Sequence, residues 1–172
     1  MSTLSSRELL NLFGPSFAVG PSSVDLHLGD TLLRLPYGVT LDPERDQSDL
    51  WETVPLREDG RWWLGQGALY LGVTRETVNV PGAHMALLHG ISSLGRLGLL
   101  VHVTAGLIDP GNSLKPTLEL VSLGGSILLR PGQRIAQVTY HTLTSPPLRP
   151  YAGKYAGDEM PVPSKMWQEA VS

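Results

Sequence analysis

An all-β fold, a barrel or sandwich of short strands, is what this sequence predicts. Nineteen glycines and fourteen prolines in 172 residues are too many for a helix bundle and suit frequent turns. From Trp62 to His141, apolar and β-branched runs of strand length recur at short intervals with turn residues between them, the pattern of sheets closed by hairpins. Hydrophobic content of 41% and charged content of 17% fit a folded chain rather than a disordered one. A chain of this length is expected to form a single domain over residues 1–172 with a substantial core.

The first element is helical. Ser5-Ser6-Arg7-Glu8-Leu9-Leu10-Asn11-Leu12-Phe13-Gly14 opens on a capping serine, repeats leucine at helical spacing and ends on glycine. Val24-Asp25-Leu26-His27-Leu28 and Thr31-Leu32-Leu33-Arg34-Leu35 read as two strands joined by a Gly29-Asp30 turn. Residues 37–61 are polar, with Asp-Pro and Asp-Gly turn signals, and form a surface excursion because the strand pattern resumes at once. Strands are then expected over 68–73, 77–80, 85–88, 99–104, 117–121, 126–129 and 135–141. Beyond Pro150, glycine, proline and lysine mark an extended arm, with one last helical turn near Trp167.

Composition excludes several classes of function. A formal charge of −3 offers no broad basic footprint for nucleic acid, so a phosphate ligand would depend on a few local cations. No cysteine is present, which removes disulfides and thiolate metal sites. Residues 1–14 lack the cationic start and apolar run of a signal peptide. No apolar stretch approaches the roughly 20 residues that span a bilayer; no membrane association is expected, and the cytoplasm is the default location. Zinc deaminase chemistry needs His-x-Glu and Pro-Cys-x-x-Cys, and none of the five histidines begins a His-x-Glu. The G-x-x-x-x-G-K-[ST] phosphate loop, Gly-x-Ser-x-Gly and Gly-x-Gly-x-x-Gly are also absent.

The side chains that remain as candidates cluster between residues 90 and 120. In Thr117-Leu118-Glu119-Leu120-Val121, strand alternation places Thr117, Glu119 and Val121 on one face and the two leucines on the other. A carboxylate there is either on a solvated sheet face or held in a site; a partly buried one can shuttle protons. Ser92, Ser93 and Arg96 lie between Gly90 and Gly98. They make either an ordinary polar loop or a place where hydroxyls and amides meet phosphate oxygens and a guanidinium orients a carboxylate. Asp109-Pro110-Gly111 is by itself a common turn, and a lysine such as Lys154 in a tail is ordinarily just solvated.

Taken together, Gly90-Ile91-Ser92-Ser93-Leu94-Gly95-Arg96, Thr104-Ala105-Gly106-Leu107-Ile108-Asp109-Pro110-Gly111, Thr117-Leu118-Glu119-Leu120, Arg134-Ile135-Ala136-Gln137-Val138 and Gly153-Lys154-Tyr155 resemble, in order and spacing, the dCTP deaminase and dUTPase superfamily. The likeness runs from Pro21-Ser22-Ser23-Val24-Asp25-Leu26 to Tyr155. It implies a distorted β-barrel of the dUTPase-like fold with a short helix at residues 1–14, a C-terminal arm at 150–172, and a homotrimer with active sites between subunits. It implies hydrolytic deamination of dCTP to dUTP and ammonia, with dUTP hydrolysis, or both reactions in one site, as alternatives. A catalytically weak nucleotide-binding regulator is the third possibility. Glu119 would be the general base, Ser92 would lie at the base and attacking water, and Arg96 would support the glutamate. Asp109 would orient the water that attacks the α-phosphate. Ser93 would face the phosphates, while Ala105, Gly106 and Ile108 would cup deoxyribose and base. Gln137 would support the site, and Tyr151, Lys154 and Tyr155 would close over the triphosphate. Magnesium would accompany the triphosphate; no zinc is expected.

Four positions depart from the family's pattern. Ile91 stands where relatives carry Arg or Lys before the two serines. Asn112 replaces an aromatic, and Leu114 replaces a glycine. Asp158 replaces the arm's glutamine and adds negative charge close to where the phosphates are expected, and the arm is shortened between Tyr151 and Lys154.

Overall fold

The computed structural model describes residues 2–169, and the last three residues of the expected arm lie outside them. Helix α1 (Ser6–Phe13) begins where Glu8 accepts a hydrogen bond from the Ser5 backbone N–H at 2.7 Å. It stops at Gly14, whose N–H donates to Leu10 O. Leu9 is fully buried beneath it.

The strands are β1 (Ser2–Thr3), β2 (Val24–Arg34), β3 (Glu52–Thr53), β4 (Trp62–Leu64), β5 (Leu69–Thr74), β6 (Val78–Asn79), β7 (His84–Gly90), β8 (Leu99–Leu100), β9 (Leu107–Ile108), β10 (Ser113–Leu114), β11 (Thr117–Ser122), β12 (Ile127–Leu129) and β13 (Arg134–Thr142). Seven of them form one antiparallel sheet in the order β8-β11-β5-β2-β13-β7-β9, with β1 added on β13 and β3 on β2. Two small ribbons, β10-β6 and β12-β4, complete the all-β architecture. No helix among the described residues is long and apolar enough to cross a membrane.

Strand β2 curls this sheet into a half-barrel. Its first half, Val24 to His27, pairs with β13, whereas Leu28 and Leu32 to Arg34 pair with β5. The pairing shifts register between Leu28 and Leu32, an irregularity of the kind that bends a strand between two sheet directions. The expected hairpin at Gly29-Asp30 is therefore replaced by one eleven-residue strand. Gly29 does not take the positive φ that a two-residue hairpin turn uses. Its missing side chain instead admits the Val73 carbonyl, which would lie 2.9 Å from a Cβ.

The inside of the curl is one apolar cluster. Leu26, Leu28 and Leu32 from β2 meet Leu118 and Leu120 from β11, Ile135, Val138 and Tyr140 from β13, and Trp62 and Tyr70. Each fully buried aliphatic side chain contributes about 1.5–3 kcal/mol. On β11 and β13 apolar residues face inward in alternation, so the opposite face carries Thr117, Glu119 and Val121 on one strand and Gln137, Thr139 and His141 on the other.

Two further segments differ from the expectation. The strand over 99–104 ends after Leu100, because beyond it the Val103 N–H pairs with a side chain, the Glu119 carboxylate, rather than with a neighbouring backbone. Ser92–Gly95 forms a short helix, α2, rather than a loop.

Candidate active site

Glu119 projects from β11 on the face away from the core and is half-buried. Its neighbours Leu118 and Leu120 are fully buried, which fixes the strand's facing and hence the direction of the carboxylate. The Val103 N–H donates to Glu119 Oε2 at 2.7 Å, and the Glu119 N–H donates to Val101 O at 3.1 Å. One carboxylate oxygen is thus held by the main chain, and no described residue bonds the other.

The segment that holds Glu119 is the continuation of α2. Leu94 anchors this helix in the core, while Ser92, Ser93 and Arg96 are exposed. Arg96 N–H closes the turn onto Ser92 O at 3.0 Å. Gly98 then reverses the chain with φ of 83°, and its Cβ would lie 2.5 Å from Gly124 N; only glycine suits both conditions. No hydrogen bond or ion pair among the described residues joins Ser92, Ser93 or Arg96 to Glu119. The serine–arginine cluster and the glutamate are neighbours in topology, not partners within one chain.

Ile91, at the start of α2, packs against the core cluster. The position lacking the family's cation is here a packing position, so the departure is coupled to the interior and is not a simple surface exchange.

Asp109 follows β9 and is half-buried, with a side chain free of hydrogen bonds and ion pairs among the described residues. The turn after it is rigid: Gly111, at φ 88°, donates to Val80 O at 2.8 Å, and Asn112 N donates to Asp109 O. Asn112 is buried, and its Oδ1 has no partner among the described residues. The Ile108 side chain belongs to the core at 8% exposure, so it is not available at the surface. Gly106 is small for a local reason, since the Leu88 carbonyl would sit 2.9 Å from a Cβ. Ala105 is exposed.

Gln137 lies on the outer face of β13 and accepts a hydrogen bond from Ser23 Oγ at 3.1 Å, tying the β13 face to the chain entering β2. His89 and His141 flank Thr139 on this face: Thr139 Oγ1 lies 3.2 Å from His89 Nε2 and 2.9 Å from His141 Nε2. Burial above all, then the nearby His102 and His141, holds the His89 imidazole below its ordinary pKa. No group of three or more His, Cys, Asp or Glu side chains among the described residues is placed to hold a metal ion.

The arm folds back along the same outer face of β11. Tyr151 N–H donates to Pro110 O at 2.8 Å, clamping the arm's start onto the Asp109 turn. Lys115 N–H donates to Asp158 O at 2.8 Å, and Val162 N–H donates to Thr117 Oγ1 at 3.2 Å, two residues from Glu119. Lys154 pairs with Glu169, which raises the lysine's pKa. Asp158, expected to add negative charge near the phosphates, is bound by Lys165 at 3.0 Å. Sequence reasoning had no signal for Lys165, because pairs formed across a folded arm leave no periodic trace. Two surface clefts, one of about 190 Å³ lined by Leu41, Arg45, Trp51 and Pro163, the other by Asp59, Arg61, Leu128 and Arg130, contain none of the candidate residues.

The family model for dCTP deaminase-like domains matches residues 5–143. A Methanopyrus kandleri protein named "dCTP deaminase, dUMP-forming" is 42% identical over 156 residues, covering 87% of this chain and 81% of its own. A Haloarcula marismortui protein named "dCTP deaminase" is 40% identical, covering 88% of this chain and 83% of its own. The crystal structure of 2'-deoxycytidine 5'-triphosphate deaminase from Agrobacterium tumefaciens superposes with a TM-score of 0.71 at 24% identity. It covers 85% of this chain, which spans half of that protein's length; at this identity the likeness bears on the fold alone, the curled, mostly β sheet. With the family match extending over most of its length and relatives near 40% identity, this chain belongs to the dCTP deaminase-like family.

Proposed function

We propose that the protein is an enzyme that deaminates dCTP. Water adds to C4 of the cytosine ring, Glu119 takes its proton and passes it to the departing amino group, and ammonia leaves a uracil ring. The observation that carries this reading is the Glu119 carboxylate, aimed off the core face with one oxygen held by Val103 N–H and the other open to a water. A base held by the main chain is in place for proton transfer, and general acid–base catalysis by such a group contributes about 10²–10⁴ in rate. Ser92 lies at the pyrimidine and the attacking water, and Arg96 supports the glutamate electrostatically. Ser93 and the first amides of α2 face the phosphates.

The Asp109 hairpin cups the deoxyribose and base through Ala105, Gly106 and the Ile108 backbone, and Gln137 braces the site. Tyr151, Lys154 and Tyr155 close over the triphosphate, which displaces Glu169 from Lys154. Magnesium enters with the nucleotide and neutralises its phosphates. That no hydrogen bond or ion pair joins Arg96 to Glu119 among the described residues supports a homotrimer whose sites combine α2 of one subunit with β11 of the next.

Several relatives at 40–42% identity are named dUMP-forming, and the Asp109 side chain, expected beside the α-phosphate, has no hydrogen bond or ion pair among the described residues. Both support a second step in the same site, hydrolysis of dUTP to dUMP and pyrophosphate. The reading of a nucleotide-binding regulator keeps one specific observation, the missing cation at the core-packed Ile91.

Incubation with dCTP or dUTP in the presence of magnesium, followed by chromatography, separates these readings. Release of dUMP from both nucleotides supports the two-step enzyme, accumulation of dUTP supports deamination alone, and no product supports the regulator. Glu119→Gln is expected to lower deamination by at least about a hundredfold with an unchanged thermal melt; wild-type turnover in that variant would remove Glu119 from the mechanism.

A further inference from the structure

We infer that Lys165 is a positioning residue for the triphosphate-closing arm, holding the Lys154–Asp158 segment in shape and cancelling the charge of Asp158. This inference rests on the proposed reading of the arm as the triphosphate lid.

Five contacts converge on this one lysine. Its Nζ donates to the Lys154 carbonyl at 2.8 Å and to both Asp158 oxygens at 3.0 and 3.2 Å. The same ammonium lies 5.3 Å from the centre of the Tyr155 ring, within the range of cation–π attraction. Its backbone N–H donates to Tyr155 Oη at 3.0 Å. Lys165 therefore touches Lys154, Tyr155 and Asp158 without belonging to the segment itself. Both partners of the ion pair are largely shielded, with 25% and 15% of their side chains exposed, so the pair is screened by solvent less than a surface bridge.

The pairing has a chemical consequence at Asp158. A carboxylate on the lid opposes a triphosphate, and the family pattern places a neutral glutamine there. Lys165 offsets that charge and leaves the local sum near zero, so the lid approaches the phosphates without net repulsion. Its bond to the Lys154 carbonyl also fixes the backbone from which the Lys154 ammonium projects. Orienting that ammonium beforehand reduces the ordering needed on binding.

Steady-state kinetics with dCTP and magnesium on wild type, Lys165→Met, Asp158→Asn and the double variant test the role. Lys165→Met is expected to raise KM roughly five- to thirtyfold while kcat stays within about twofold, since Glu119 is untouched. Adding Asp158→Asn to Lys165→Met is expected to recover most of the KM, and Lys165→Arg to stay near wild type. A loss in kcat instead of KM, or a KM increase that Asp158→Asn leaves in place, would overturn charge cancellation.

Hydrogen exchange over residues 154–165 in the nucleotide-free protein provides a readout that does not depend on turnover. Lys165→Met is expected to lose protection there, and unchanged protection would overturn the positioning role. A wild type that fails to turn over dCTP while this protection still depends on Lys165 would count against the proposed activity alone. Turnover with unchanged exchange and KM in Lys165→Met would count against this inference alone.

Discussion

Glu119 illustrates how much one residue's direction depends on its neighbours. Leu118 and Leu120 are fully buried, and a one-residue slip of β11 would turn the carboxylate into the core and expose both leucines. The other decisive residue at this scale is Gly98, which returns the chain from α2 to β8 so that Val101 and Val103 run beside Glu119. Its φ of 83° and the 2.5 Å approach of Gly124 N leave no room for a methyl group. Gly98→Ala is expected to destabilise the fold by about 2–4 kcal/mol. Thermal unfolding should show a fall of roughly 4–16 °C in Tm, with activity reduced because α2 and the Val103 segment both move. An unchanged Tm would mean that the loop relaxes freely.

Among the elements, β13 joins most of the molecule: β2 pairs on one side, β7 on the other, and β1 adds at its end. Its outer face carries a polar ladder in which Thr3 Oγ1 meets His141 Nδ1 at 3.1 Å, while Thr139 lies between His141 and His89. Burial, then His102 and His141, depresses the His89 pKa below its usual 6.5. The unfolded chain therefore binds a proton that the folded chain resists. The stability due to the neutral ring is fully present above about pH 6.5 and is lost as pH falls below it. Urea melts at pH 5.5 and 7.5 should show lower stability at the acidic value, and His89→Gln should reduce that difference. An equal pH dependence in the variant would place the effect elsewhere.

At the scale of the whole molecule, the proposed mechanism needs the α2 cluster and Glu119 in one site, although no bond joins them within one chain. A trimer with composite sites makes a specific prediction. Arg96→Ala and Glu119→Gln are each expected to be inactive, yet trimers mixed from the two chains would contain sites with both native residues. In a cyclic trimer every mixed assembly, of either stoichiometry, holds one complete site in three, so co-expressed protein purified through both tags should recover roughly a third of wild-type deamination. Absence of recovery in trimers verified to be mixed would place Arg96 and Glu119 of each site in the same chain. A monomeric mass by light scattering would exclude the composite site altogether.

The sequence by itself determined the all-β class, the capped first helix and the alternation of β11, because these follow from local periodicity, caps and turn residues. The family resemblance likewise rested on contiguous motifs, those around Ser92, Asp109 and Glu119 among them. Only the tertiary structure decided the features that depend on residues far apart in the chain. Gly29-Asp30 carries a turn signal, but pairing with both β13 and β5 draws it into one continuous strand. Val103 looked like part of a strand until the Glu119 carboxylate took its N–H. Ile91 reads as a lost cation, yet the core claims its side chain, and Asp158 reads as an unbalanced charge until the arm folds and brings Lys165 onto it. In each case the deciding energy comes from a partner outside the local strand or turn pattern, only seven residues away for Asp158 and Lys165 and much farther for the others, and neither composition nor spacing carries information about which group a side chain will meet.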